Sequence, residues 1–107
     1  VGNVAGKTCI LYDDIVDTGG SVCNGAKVLR ANGANEDIYL AATHAVLSKD
    51  AKTKLSEANF KEIVFTDTIP LHKEKRLPNM EILSVAPLLA AVISNVHEGK
   101  AISPLVS

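Results

Sequence analysis

The chain has 107 residues, of which 47% are apolar and 4% aromatic, and its formal net charge is −1. This length suits one globular domain with a modest core, so we expect residues 1–107 to form a single domain. The balanced charge and the few aromatic side chains argue against a nucleic-acid surface. Because the first residue is Val1 and the opening segment resembles a linker entering a strand, we expect this domain to belong to a longer chain.

Apolar runs and cysteines indicate the cellular setting. No apolar run approaches the roughly 20 residues that span a bilayer, and the first residues lack the basic and apolar regions of a signal peptide. Cys9 and Cys23 are too few for a disulfide framework and lack metal-ligand spacing. We therefore expect a soluble cytoplasmic protein with two buried thiols and no membrane partner.

Strand and helix patterns alternate along the chain. Apolar and β-branched runs predict strands at 8–12, 37–44, 61–70 and 80–85, and helical spacing predicts helices at 20–31, 48–60 and 86–97. Ser48 is the predicted N-cap of the second helix, Gly33 ends the first, and Pro87 suits the first turn of the last. This alternation predicts an α/β fold with an open, mostly parallel sheet and helices on both faces.

The segment ILYDDIVDTGGS, residues 10–21, joins the first predicted strand to the first helix. Ligands of open α/β sheets bind beyond the carboxyl ends of the strands. Gly19 and Gly20 allow a tight turn, Thr18 and Ser21 offer hydroxyl groups, and the following helix presents free N–H groups. The loop therefore suits a phosphate monoester, although it is neither a Walker loop nor a GxGxxG motif.

Three carboxylates precede or enter this loop. Asp13 and Asp14 would repel a phosphate, so we expect them to face sugar hydroxyls or Mg²⁺, which prefers carboxylate oxygens. A sugar phosphate satisfies both halves of the segment. The alternative is an acidic turn in which Asp17 caps the helix while Asp13 and Asp14 are solvated.

The same segment resembles the phosphoribosyl diphosphate motif of the type I phosphoribosyltransferase fold. Three further stretches, TH at 43–44, TDTIP at 66–70 and the sequence from Ile82 onward, resemble in the same order the C-terminal half of ribose-phosphate pyrophosphokinases. The resemblance covers essentially the whole chain. It implies a transferase of nucleotide biosynthesis that uses Mg²⁺ to transfer diphosphate from ATP to ribose 5-phosphate, which gives phosphoribosyl diphosphate and AMP.

The resemblance also implies roles for individual residues. Asp13 and Asp14 would hold the ribose 2- and 3-hydroxyls, directly or through Mg²⁺. The 5-phosphate loop would consist of Asp17, Thr18, Gly19, Gly20 and Ser21. The family's ATP-binding residues and its catalytic Lys and Arg precede this segment, so we expect the isolated chain to bind substrate without turning it over. Homo-oligomers are implied for the full-length family, and we expect a dimer or smaller assembly for this chain.

Three positions depart from the family pattern. Ser21 replaces the commoner Thr, Asp67 stands where Asn is expected, and Ala101 occupies a position often held by Ser near a regulatory phosphate site. We therefore do not predict whether this region takes part in regulation. Two other functions stay open: a phosphoribosyltransferase proper, whose segment for the base is not evident here, and a non-catalytic domain that accompanies a synthetase.

Histidines and a basic loop are further candidates. We expect His44 to be a packed or hydrogen-bonded structural residue rather than a ligand, and His97 to favour the dipole of the last helix. Thr66 and Thr68 lie at the functional edge, where a loop over the pentose and a simple turn are equally compatible with the sequence. A second-ranked ligand contact is the basic loop that contains His72, Lys73, Lys75 and Arg76.

Overall fold

A computed structural model describes residues 2–106 as a four-stranded parallel sheet with the strand order β1-β2-β3-β4. The elements are β1 (Cys9–Val16), α1 (Gly20–Ala31), β2 (Ile38–Ala45), α2 (Ala51–Glu57), β3 (Glu62–Thr66), a 3₁₀ turn (Lys73–Lys75), β4 (Met80–Leu83), α3 (Ala86–His97) and α4 (Ser103–Val106). The predicted open parallel α/β fold is confirmed. Among the described residues, no helix is both long enough and apolar enough to cross a membrane.

Strand β1 is longer than its sequence predicts. The apolar run ends at Tyr12, but the strand continues to Val16 because parallel pairing with β2 continues, with Asp13 opposite Ala42 and Ile15 opposite His44. Strand β3 ends at Thr66, and residues 67–70 form the loop that the segment ending at Pro70 was predicted to enter. The predicted end of strand one was therefore wrong, and two of the three clustered carboxylates belong to a strand.

The hydrophobic core lies between the sheet and helices α1 and α2. Alternate residues of β2 are buried, as expected for one face of a strand, and they pack with Ala26 of α1 and Leu55 of α2. Gly25 brings α1 close to β1, since a Cβ at this position would lie 3.4 Å from the Leu11 side chain. The largest fully buried side chains are Phe65, Ile38, Leu40, Leu55, Ile63 and Val16.

The opposite face of the sheet, here called the open face, is apolar and exposed. Ile10 is 69% exposed and Tyr12 is 77% exposed, and Leu83 of β4 is exposed as well. Helix α3 buries none of its residues. Among the described residues, helices α1 and α2 pack on one face of the sheet. The prediction of helices on both faces is therefore confirmed for that face only.

Turn and cysteine predictions are met in part. Gly33 has φ +85 and follows the C-cap Asn32, so it ends α1 as predicted. Cys9 and Cys23 are free but only half-buried. The Cys23 thiol donates to the Lys54 carbonyl at 3.4 Å, and burial raises the pKa of this thiol.

Candidate functional site

The predicted phosphate loop lines a cavity, open to solvent, at the carboxyl end of β1. The cavity has a volume of about 170 Å³. Its lining contains six of the seven predicted site residues and three apolar neighbours: Asp13, Asp17, Thr18, Gly19, Gly20, Ser21, Ile15, Val16 and Val22. A larger groove of about 330 Å³ between α1 and α2 shares Gly20 with this cavity but contains none of the acidic residues predicted for the site. The structure therefore brings together nearly all of the site predicted from the sequence.

Backbone geometry turns the loop toward the cavity. Gly19 is buried and has φ +85, a left-handed conformation that glycine adopts without the cost of a Cβ. Helix α1 starts at Gly20, and no side chain caps it. The N–H groups of Gly20, Ser21 and Val22 belong to the first turn, where an α-helix provides no carbonyl partner. These groups and the positive end of the helix dipole favour an anion in the cavity.

Asp13 and Asp14 are adjacent in β1 but differ in position. Asp13 is half-buried and lines the cavity, whereas Asp14 is exposed and lies outside its lining. A hydrogen bond with the Asp13 carboxyl lowers the pKa of Asp14, and the Ile15 N–H, which donates to Asp14 Oδ1 at 2.9 Å, lowers it further. The Asp14 N–H in turn donates to Asp13 Oδ1 at 2.8 Å. The Asp13 carboxylate is thus held against the backbone of Asp14.

Asp17 is held by a different segment of the chain. It does not cap α1, whose N-cap position is Gly19, so the alternative of a capping Asp17 is wrong. Instead, the Ser48 hydroxyl donates to Asp17 Oδ1, and the Ser48 N–H donates to the Asp17 carbonyl at 3.0 Å. The prediction of Ser48 as the N-cap of α2 is also wrong, because Asp50 occupies that position and makes no side-chain cap.

Ser48 is the residue near the site that sequence reasoning missed. Its partner is 31 positions away along the chain, so no local pattern reveals the contact. The position of Ser48 in the chain could have suggested this contact. Ser48 closely follows β2, and the carboxyl ends of the parallel strands β1 and β2 share one edge of the sheet.

His44 and two threonines form a hydrogen-bonded group beside the site. The His44 Nδ1 and Thr68 Oγ1 atoms are 2.7 Å apart, and the Thr66 hydroxyl donates to the Thr43 carbonyl at 2.6 Å. The expectation of a hydrogen-bonded His44 is confirmed. Its charge also lowers the pKa of Asp14 slightly, as the weakest of several causes.

Asp67 links the end of β3 to the start of α3. Its Oδ1 accepts a hydrogen bond from the Val85 N–H at 2.8 Å, and its own N–H donates to the Leu83 carbonyl at 3.1 Å. The Val85 bond, followed by one from the Ser84 hydroxyl, lowers the pKa of Asp67. The charge that departs from the family pattern therefore has local partners.

The basic loop is attached to the rest of the fold by two lysines. Lys75 Nζ donates to the Val46 carbonyl at 3.2 Å, and Lys52 Nζ donates to the Glu74 carbonyl at 2.8 Å. None of the loop's charged residues lines the cavity. Its role as a ligand contact stays a prediction.

The carboxylates near the cavity are the candidates for a metal site. Between residues 2 and 106, no group of three or more His, Cys, Asp or Glu side chains is arranged to hold a metal ion. Asp13 and Asp14 are adjacent in β1 and joined by the hydrogen bond from the Asp14 N–H to Asp13 Oδ1, and Mg²⁺ typically takes one or two carboxylates together with water and substrate oxygens. The pair therefore fits a magnesium ion that is shared with a substrate, and it does not fit a cage made of protein ligands alone.

Comparison with known proteins extends this picture. Residues 1–107 match the family described as "Phosphoribosyl synthetase-associated domain". A ribose-phosphate pyrophosphokinase of Mycobacterium leprae is 44% identical over 105 residues, and one of Caldanaerobacter subterraneus is 48% identical over 105 residues. These alignments cover 98% of this chain and 32% and 33% of the two relatives.

A solved structure agrees with the fold. The crystal structure of phosphoribosylpyrophosphate synthetase from Mycobacterium smegmatis matches with a TM-score of 0.89 and 47% sequence identity, over 92% of this chain and 33% of the other. The chain thus spans about a third of the length of its relatives and aligns with their last third. It belongs to the phosphoribosyl synthetase-associated domain family, as a C-terminal domain of the ribose-phosphate pyrophosphokinase type.

Proposed function

We propose that this chain binds ribose 5-phosphate for a ribose-phosphate pyrophosphokinase, in which diphosphate passes from ATP to the 1-hydroxyl of the sugar. The observation that carries this proposal is that the glycine loop and Asp13 line one and the same cavity. The proposal includes residues 1–107 as one domain of a longer cytoplasmic protein. It also includes ATP binding and homo-oligomer formation by the full-length protein.

The two parts of the cavity have different tasks in this proposal. The 5-phosphate lies at the start of α1, where the first-turn N–H groups and the hydroxyls of Thr18 and Ser21 donate to its oxygens. Asp13 accepts hydrogen bonds from a ribose hydroxyl, and Asp14 approaches the sugar from outside the cavity lining. Magnesium, when bound, would be held by Asp13 and Asp14 and would neutralise charge on the transferred diphosphate.

Catalysis in phosphoryl transfer comes mainly from positioning and charge neutralisation. This chain would supply the positioning of the acceptor sugar, because the rigid β1 strand and the start of α1 hold its two ends. It would not complete the reaction by itself, because the ATP-binding and catalytic basic residues implied by the family lie upstream. Similarity to ribose-phosphate pyrophosphokinases favours this function over a phosphoribosyltransferase proper.

Calorimetric titration of the chain tests this proposal. We expect ribose 5-phosphate to bind more tightly than inorganic phosphate, and Mg²⁺ to increase the difference. Asp13→Asn should reduce ribose 5-phosphate affinity roughly tenfold, the size of one charge-assisted hydrogen bond, with little effect on inorganic phosphate. Asp14→Asn is the matched variant and should have the smaller effect when Mg²⁺ is absent.

Two results would contradict the proposal. If Asp13→Asn lowers the affinity for ribose 5-phosphate and for inorganic phosphate equally, the sugar and phosphate parts of the cavity are not separate. Sustained AMP release from ATP and ribose 5-phosphate by this chain alone would show that it is catalytically complete.

A further inference from the structure

Ser48 makes hydrogen bonds with all of its polar groups. Its hydroxyl donates to Asp17 Oδ1, its N–H donates to the Asp17 carbonyl at 3.0 Å, and its own carbonyl accepts the Ala51 N–H at 3.1 Å. Ser48 is thus fixed between the phosphate loop and the start of α2. Because two of these bonds go to Asp17, the backbone and the carboxylate of that residue are both restrained.

The backbone around Ser48 has an unusual conformation. Leu47 has φ 50 and Lys49 has φ 53, although both carry a Cβ that disfavours the left-handed region. Leu47 is also buried, and its N–H donates to the Val16 carbonyl at 3.2 Å. Such conformations persist where the surrounding structure enforces them. The surrounding contacts therefore hold this segment in a disfavoured conformation, and in that conformation the Ser48 hydroxyl lies against Asp17.

Asp17 presents an electrostatic problem for the proposed site. It lines the same cavity as the first turn of α1, so a freely rotating carboxylate there would repel a bound phosphate. A hydroxyl donor keeps one carboxylate oxygen directed toward Ser48 and stabilises its charge there. We infer that Ser48 is a positioning residue, which holds the Asp17 carboxylate aside so that the cavity accepts a phosphate group.

This inference rests on the proposed function, and its test separates the two. The chain is titrated with inorganic phosphate and with ribose 5-phosphate, and binding is followed by amide chemical shifts. Ser48→Ala should weaken the binding of both ligands roughly tenfold, the lower end of the effect of one hydrogen bond to a charged group. The loss should shrink at high salt, because it arises from repulsion between charges.

Three variants separate positioning from a purely structural effect. Ser48→Thr keeps the hydroxyl and should retain the affinity. Asp17→Asn combined with Ser48→Ala should recover most of the lost phosphate affinity, since no carboxylate remains to repel the anion. Ser56→Ala removes an exposed hydroxyl in α2, outside the cavity lining, and should change nothing.

The outcomes are distinguishable. If the unsubstituted chain binds neither ligand, the proposed function fails, and the role of Ser48 fails with it. If that chain binds and Ser48→Ala binds equally well, the role of Ser48 alone is overturned. If Ser48→Ala loses phosphate affinity and the added Asp17→Asn substitution does not recover it, the role of Ser48 is also overturned. Damage to the loop would then explain the lost affinity.

Discussion

Helices α1 and α3 have the same length and opposite surroundings. Each has twelve residues, and α3 is the more apolar of the two, yet α1 buries Val22 and Ala26 whereas α3 buries no residue. The connections explain this difference. Helix α1 connects the neighbouring parallel strands β1 and β2, so it has to pack along the sheet for the chain to reach the start of β2. Helix α3 follows β4 and leads to no further strand among the described residues.

The two faces of the sheet show the same contrast. The strand order β1-β2-β3-β4 steps in one direction, and right-handed crossovers in one direction place their helices on one face. That face is covered by α1 and α2, and the open face retains exposed residues such as Ile10. Burial in this chain therefore follows topology more closely than it follows the apolar character of a residue.

The largest expected effect comes from making the same substitution on both faces. Ile38 is 0% exposed in β2, and Ile10 is 69% exposed in β1. Ile38→Ala should lower the free energy of unfolding by about 2–5 kcal/mol, because it removes buried contacts and leaves a cavity. Ile10→Ala should change it by about 0.5 kcal/mol or less. Urea denaturation of both variants measures the difference.

A milder variant covers the case in which Ile38→Ala fails to fold. Ile38→Val should cost about 0.5–1.5 kcal/mol and still exceed the effect of Ile10→Ala. Equal costs at the two positions would mean that the open face is covered in solution and would break the contrast between the faces.

Sequence patterns predicted the parts of this fold that depend on neighbouring residues. The glycine loop, the α1 helix and its end at Gly33 all follow from local preferences, and so does the series of parallel strands. The extension of β1 through Asp13 and Asp14 was missed because Asp is uncommon in strands, and pairing with β2 overrides that preference. Tertiary pairing thus decided where the carboxylates lie.

Most residues of the candidate site lie around one cavity, as their place in the sequence suggests, but the arrangement of the carboxylates was not predicted. Residues 17–21 are consecutive, so a turn brings them together whatever the rest of the chain does. The separation of Asp13 from Asp14 required the extended strand, and the contact between Ser48 and Asp17 required the packing of two strand ends. The exposure of α3 was equally hidden, because its apolar pattern is also typical of a buried helix.

A second prediction sharpens the comparison of the two helices. Amide hydrogen exchange should be slow in α1, where opening requires disruption of the core, and faster in α3, since isolated helices of about 12 residues are marginal in water. We expect protection factors in the middle of α1 to exceed those in the middle of α3 by at least about 100-fold. Equal protection would show that α3 unfolds together with the sheet and that the two helices are energetically alike.

The smallest expected effect concerns Asp67, which connects the sheet to the start of α3. Hydrogen bonds from the Val85 N–H and the Ser84 hydroxyl lower the pKa of Asp67 in the folded chain. The ionised carboxylate therefore stabilises the fold above the ordinary Asp pKa of about 3.9, and this contribution is lost as the pH falls through the lowered folded-state value. Asp67→Asn keeps an oxygen that can accept the Val85 N–H but removes the charge.

We expect Asp67→Asn to be slightly less stable than the unsubstituted chain at pH 7, and the difference to disappear in acid. Urea denaturation at a series of pH values measures it, with Asp37→Asn as a control for removing an exposed carboxylate elsewhere. Because Asp67 is exposed, its effect should be far smaller than that of Ile38→Ala. If the difference in the free energy of unfolding persists unchanged below the lowered pKa of Asp67, the shape of this side chain and not its charge connects α3 to the sheet.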